Sequence, residues 1–309
     1  MTRITPFLLA ATLLALGLSA APAQAQFSHT YVSAATGSDG NNCGLGAPCR
    51  TFQRAHNQTN DQGEITVLDP GDFGTVTITK SISIVNDGGG EASIQVSGGA
   101  AGITINGSAG AYVNLRGITI QGVGAGTGLR FTNGFSLTVT KCVIRNHTGH
   151  GIDFSPFSHS NLSVSSTLVS DNGGTGISVL SRSGTVNAVF SQVEAYNNSQ
   201  HGIGVESLAN SSNTISATVA DSVAANNGSA GFAAFSLVSG AGQGVSNLMV
   251  VRSVAANNNF GLVANGAGTT VRVGLSSVTG GLLVDSGGTL LSYGDNQIDG
   301  SAPTKIATK

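Results

Sequence analysis

A glycine followed by an apolar–variable–apolar triplet returns along this chain at a nearly constant interval. The copies Gly151-Ile-Asp-Phe154, Gly176-Ile-Ser-Val179, Gly202-Ile-Gly-Val205, Gly231-Phe-Ala-Ala234 and Gly261-Leu-Val-Ala264 are separated by 25, 26, 29 and 30 residues. Weaker copies precede them at Gly128-Leu129-Arg130-Phe131 and Gly102-Ile103-Thr104-Ile105. Ahead of each strong copy lies a polar turn that holds Asn146, Asp171, Asn197, Asn226 or Asn257. A self-similar unit of this length cannot bury its own apolar face, and stacking on its neighbours solves that.

The slots of the repeat have physical readings. The glycine is expected at a tight turn with positive φ, where a side chain would clash. The triplet after it reads as a short strand with two residues inward and one outward. Leu129, Ile152, Ile177, Ile203, Phe232 and Leu262 are then expected to stack as one interior column, and Phe131, Phe154, Val179, Val205, Ala234 and Ala264 as the next. The Asn column suits turn geometry and allows amide-to-amide bonding from coil to coil, about 4.8 Å apart. Leu137-Thr-Val-Thr140 and Leu248-Met-Val-Val251 begin second strands of their units. No helical stretch separates the strands, and parallel crossovers are right-handed in nearly all cases. The fold class is therefore all-β: a single-stranded right-handed parallel β-helix, a solenoid with room for roughly nine coils at about 25 residues each. Thr30-Tyr-Val-Ser33 reads as a first strand, and Thr51 to His56 as a short N-terminal helical cap.

Composition agrees with this reading. The 309 residues include 45 glycines and no tryptophan, with 9% charged and 5% aromatic side chains, a mix that suits strands broken by turns. At 40% hydrophobic the chain is too apolar to be disordered. A net charge of −2 leaves no basic face for nucleic acid. Arg3, the apolar run Phe7 to Leu18 and Ala23-Gln24-Ala25 read as a cleavable signal peptide over 1–25, because a dozen apolar residues fall short of the roughly 20 that a membrane helix needs. The expected organisation is 26–63 for first strand, disulfide loop and cap, 64–300 for the β-helix, and 301–309 for a polar tail. In an oxidising compartment Cys43 and Cys49, flanking Gly44-Leu-Gly-Ala-Pro48, are read as a local disulfide, the alternative being two unpaired thiols. Cys142 is read as a small packed residue in a slot held elsewhere by Thr167, Gln192, Ser222 and Ser253.

The repeats, together with Tyr31-Val-Ser33, Thr36-Gly-Ser-Asp39, Pro48-Cys-Arg-Thr-Phe52 and Leu68-Asp-Pro-Gly-Asp-Phe-Gly74, resemble the right-handed parallel β-helix proteins of the pectin-lyase-like superfamily. The resemblance covers nearly all of the chain beyond the leader. It implies the fold and does not choose an activity, because the superfamily spans lyases, hydrolases, epimerases, adhesins and proteins without assigned roles. Gly149-His150-Gly151 matches the Gly-His-Gly of polygalacturonases, but that family's Asn-Thr-Asp, Asp-Asp and Arg-Ile-Lys do not occur. Asp69-Pro70-Gly71-Asp72 lacks the histidine of mannuronan epimerases.

Register alone assembles one surface patch. Arg130 and Asp153 occupy the outward slot of neighbouring coils, His150 and His201 share another slot two coils apart, and Glu206 lies beyond Gly204; His147 is counted with them. In such a patch Arg130 would hold a carboxylate, and Asp153 or Glu206 would bind hydroxyls or act as acid or base. Asp221 and Arg252 are expected to form an exposed ion pair. No metal or cofactor is called for. The reading is of a secreted or periplasmic, non-catalytic β-helix with a structural or polysaccharide-binding role, monomeric, with no nucleic-acid partner and no membrane span. The alternative is a polysaccharide lyase or glycoside hydrolase of the same superfamily.

Overall fold

The computed structural model describes residues 27–124, 126–209, 213–239, 242–299 and 304–305; the expected leader and most of the expected tail lie outside them. The chain winds as a parallel β-helix. One stack is a nine-stranded sheet whose rungs include Thr127–Asn133, Ile152–Phe154, Ile177–Ser181, Ile203–Ser207, Ala230–Ser236 and Phe260–Asn265. The strands of the other two faces join into a 20-stranded sheet, because elements such as Thr185–Tyr196 run through the corner between them. Coils pair in parallel with the expected register: Ile152 with Ile177, Ile177 with Ile203, Ile203 with Phe232 and Phe232 with Leu262. Both predicted interior columns are 0% exposed. Phe131 and Phe154 stack at 4.3 Å, so successive members of the second column touch there along the axis. An antiparallel pairing occurs in a small hairpin, Val238–Ser239 with Gly242–Gln243, and in a bridge between Gly44 and Ala47 of the disulfide loop.

The front end is closed by the helix Phe52–Gln58, which buries Phe52, Ala55 and His56 and packs on the strands Phe27–Val32, Thr59–Val67 and Val76–Ile78. Thr51 caps it by accepting from the Arg54 amide at 3.2 Å, and the Asp39 carboxylate fixes Thr51 in turn. Asp69 of the Asp-Pro-Gly-Asp segment is a clamp: it accepts from the Ala34 amide at 2.6 Å and from the Ser33 hydroxyl. Cys43 and Cys49 are joined by a disulfide.

Three details differ from the sequence reading. First, the marker glycines Gly151, Gly176, Gly202, Gly231 and Gly261 are not in the left-handed region; the preceding turn residues Asn146, Asp171, Asn197, Asn226 and Asn257 are, at φ between 54° and 62°. The glycines are required by close approach instead. A Cβ on Gly176 would stand 2.7 Å from the Gly202 carbonyl oxygen and 2.8 Å from Asn198 Nδ2. Second, the amide ladder runs one residue later, through the buried Asn172, Asn198, Asn227 and Asn258. The Oδ1 of Asn198, Asn227 and Asn258 each accepts from both the backbone N–H and the side-chain amide of the asparagine one coil earlier, as in Asn198 to Asn227 at 3.0 Å for both bonds. Third, Gln192 is a corner residue at φ 55°, and Val193 fills the interior slot that pairs with Thr167.

Cys142 is packed in that slot, its amide bonded to Thr167 Oγ1, and burial pushes its thiol up to about 11. Since the thiolate is the reactive form, the native protein is expected to resist iodoacetamide at pH 8. Intact mass after unfolding in urea without reductant should then show one added group. Rapid labelling of the native protein would contradict the packed assignment.

Candidate functional site

The outer face of the nine-stranded sheet changes character along its length. In the column that alternates with the interior residues, Arg130, Asp153, Ser178, Gly204, Ala233 and Val263 follow one another in register. The first residues are polar. Ala233 and Val263 are buried in a small second cluster with Ala230, bordered by Phe235, Phe260 and Leu283, so these outward slots are apolar and covered. Between the two halves lies Gly204, where the missing side chain leaves a hollow. There a groove of about 540 Å³ crosses four rungs, with His150, Asp153, His201 and Glu206 in its walls.

Four of the residues singled out by register thus meet around one groove. Arg130 does not line it. Its Nε lies 3.4 Å from Asp153 Oδ2, so it acts on the groove through that carboxylate, which also accepts from the Ser155 hydroxyl. His147 is not at the surface at all. It is 2% exposed and continues the asparagine ladder, its amide bonded to Asn172 Oδ1 and Nε2 lying 3.2 Å from the Ile120 carbonyl. The cause is the left-handed turn at Asn146, which turns the next side chain inward.

Each groove residue has its own environment. His150 Nδ1 accepts from the Thr175 amide at 3.0 Å, which fixes the proton of a neutral ring on Nε2. His201 leans on the Phe235 ring at 5.2 Å, and its buried Nδ1 has no hydrogen-bond partner. Burial first, and the nearby His150 second, hold His201 below the ordinary imidazole range, so it is neutral at pH 7. Glu206 pairs in register with Leu180 on one side and Phe235 on the other, and burial against them raises its carboxyl above the usual range.

The sequence reading missed Ser155, Arg182, Gln200 and Phe235, which also line the groove. Arg182 stacks over Phe157 with its guanidinium carbon 5.4 Å from the ring centroid, and Gln200 Oε1 accepts from Thr175 Oγ1. Continuing two positions past the outward residue of each triplet finds Leu180, Glu206 and Phe235. Among the described residues no group of three His, Cys, Asp or Glu side chains is placed to hold a metal ion, and no helix is long and apolar enough to cross a membrane.

Residues 72–217 match the family described as the right handed beta helix region. The structure is similar to that of pectate lyase Pel9A, with a TM-score of 0.62 and 18% identity over 91% of this chain and 78% of that one. It is also similar to a rhamnogalacturonan lyase, with a TM-score of 0.58 and 14% identity over 90% of this chain and 84% of that one. The chain folds as a right-handed parallel β-helix. No curated protein matches it in sequence. At these identities the likeness fixes the fold of this β-helix, and its chemistry has to be read from the groove.

Proposed function

We propose that this β-helix is exported and binds a polysaccharide along the groove of its nine-stranded sheet without cleaving it. The observation that carries the reading is the groove itself, open across four rungs about 4.8 Å apart and lined by hydrogen-bonding side chains from three of them and by Phe235 and Leu237 from the fourth. Repeating rungs offer similar partners at regular steps, which suits a polymer of repeating units. The two similar structures are lyases named for pectate and rhamnogalacturonan, which supports the same ligand class. The absence of cleavage rests on the carboxylates. Asp153 is engaged by Arg130 and Ser155, and it lies two coils and two strand positions from Glu206, roughly 12 Å between Cα atoms. Glycosidic hydrolysis needs two carboxyl groups that act together across the bond, and Asp153 is already held by its partners.

One observation favours the second reading, a polysaccharide-cleaving enzyme: Glu206 is a half-buried carboxyl with a raised pKa, the environment of a general acid. Glu206→Gln separates the two. A panel of neutral and anionic polysaccharides is assayed for binding by calorimetry, and for reducing ends and unsaturated products. The expected result is saturable binding, no product, and binding kept within a few-fold in Glu206→Gln. Product formation that disappears in this variant would replace the first reading with the second. The variant also has a stability signature. A raised folded pKa means that ionising Glu206 works against the fold, so stability falls as pH rises from the ordinary carboxylate range through the folded pKa. Glu206→Gln is therefore expected to unfold at a higher urea concentration than the parent at pH 7, with the two converging near pH 4.

A further inference from the structure

A second hollow lies on the outer face of the large sheet near the front end, around Tyr112. It has a volume of about 370 Å³, and Asp61, Gln62, Ser83, Tyr112 and Asn114 contribute to its walls. Three features set it apart from ordinary polar surface. The first is the ring: Tyr112 is 54% exposed, yet it is braced from behind by Phe135, 5.2 Å away and tilted by 57°, and Phe135 in turn leans on His159. An aromatic face held open to solvent by a second ring is a platform with little ordering left to lose on binding.

The second feature is the set of polar groups fixed beside that ring. Asp61 Oδ1 accepts from the Ser81 amide at 2.9 Å, and Oδ2 lies 3.4 Å from Gln62 Nε2. Asn114, in register with Ser83 one coil away, donates to Ser83 Oγ at 3.3 Å. A carboxylate, two amides and a hydroxyl thus stand in set orientations, with acceptor and donor capacity left over. The third feature is the charge. Asp61 is the charged residue in the wall, and the neighbouring Lys80 gives its ammonium to the Thr59 carbonyl. The wall of the hollow itself therefore presents a negative group, while the Lys80 ammonium stands outside it and donates to that carbonyl.

We infer that this hollow is a saccharide-binding site for a neutral pyranose unit, separate from the groove and independent of what the groove does. The ring takes the C–H face of the sugar, and Asp61, Gln62 and Asn114 take its hydroxyls. An anionic sugar is disfavoured by Asp61.

The chain contains four tyrosines and no tryptophan, so ring-labelled tyrosine gives an NMR spectrum with few signals. Full-length protein is titrated with cellohexaose, mannohexaose and xylohexaose, and with hexagalacturonate as the anionic counterpart. The expected result is a saturable shift of the Tyr112 signal with at least one neutral hexaose and none with hexagalacturonate. Tyr112→Ala should weaken that binding by about tenfold at an unchanged urea midpoint, whereas Tyr112→Phe, which keeps the platform, should stay within about threefold. Asn114→Ala should weaken it by a smaller factor, and Glu206→Gln, in the groove, should leave it unchanged. A Tyr112 signal unmoved by all three neutral hexaoses overturns the site, as does Tyr112→Ala binding like the parent. Binding that moves groove signals while Tyr112 stays still removes this site and leaves the groove reading intact.

Discussion

Asn198→Ala is expected to destabilise the β-helix by about 3–5 kcal/mol, while Asn197→Ala next to it costs about 1 kcal/mol. Asn198 is 1% exposed, and its Oδ1 accepts from both the amide and the side chain of Asn172. Its own Nδ2 donates to Asn227 Oδ1 and to the Val169 carbonyl. Truncation leaves two donors of Asn172 without an acceptor inside the coil, and each buried orphan costs about 1–3 kcal/mol. Asn197 is exposed. Its left-handed φ of 54° is the main thing that alanine would find strained, and its amide reaches only the exposed Asp171. Urea unfolding of the two variants, with Asn197→Gly as a backbone control, measures the difference. Equal costs at 197 and 198 would remove the ladder from the account of stability. In a solenoid the damage is also local, so hydrogen exchange in Asn198→Ala should quicken most in the rungs around 177–181 and 203–207.

The same two positions show what the sequence reveals and what it hides. The repeat, the register and the two interior columns were all legible, because aliphatic side chains at fixed offsets from a glycine have one arrangement that buries them. The ladder was not, since both columns are rich in asparagine: Asn197-Asn198, Asn226-Asn227 and Asn257-Asn258. Simple alternation from Val193 and Ala195 puts Asn197 inside. The left-handed turn at Asn197 resets the count, and Asn198 points inward instead. The same cause misplaced Gln192: alternation through Val186, Ala188 and Phe190 leads to it, but its φ of 55° hands the interior to Val193. It also hid His147 behind Asn146. The groove was half legible for a related reason. Positions in and just after the triplets follow the register, so Asp153 and Glu206 were found, but the depression depends on Gly204 lacking a side chain and on Phe235 standing over it. Both are relations between coils, which no single repeat contains.

Gly202 and Gly204 lie two residues apart on the same rung and are expected to respond in opposite ways to substitution. A Cβ on Gly202 would stand 2.8 Å from both Ala224 Cβ and the Gly231 carbonyl oxygen, and 3.0 Å from Asn227 Nδ2. Two of these neighbours belong to the packed interior and one to the backbone of the next coil, so Gly202→Ala forces adjacent rungs apart. Overpacking of this kind costs about 1–3 kcal/mol, and strain on the ladder bonds at Asn227 adds to it. A Cβ on Gly204 meets nothing nearer than 3.6 Å, from His201 Cδ2 and Thr175 Cγ2, and points into the groove. Gly204→Phe should therefore unfold within about 1 kcal/mol of the parent. Its ring would occupy the hollow between His201 and Glu206 and reduce polysaccharide binding there by tenfold or more, about 1.4 kcal/mol. Urea midpoints and calorimetric titration of the two variants give the four numbers that matter. Gly204→Phe that folds normally and still binds with parental affinity would move the ligand off this sheet, whatever the stability of Gly202→Ala.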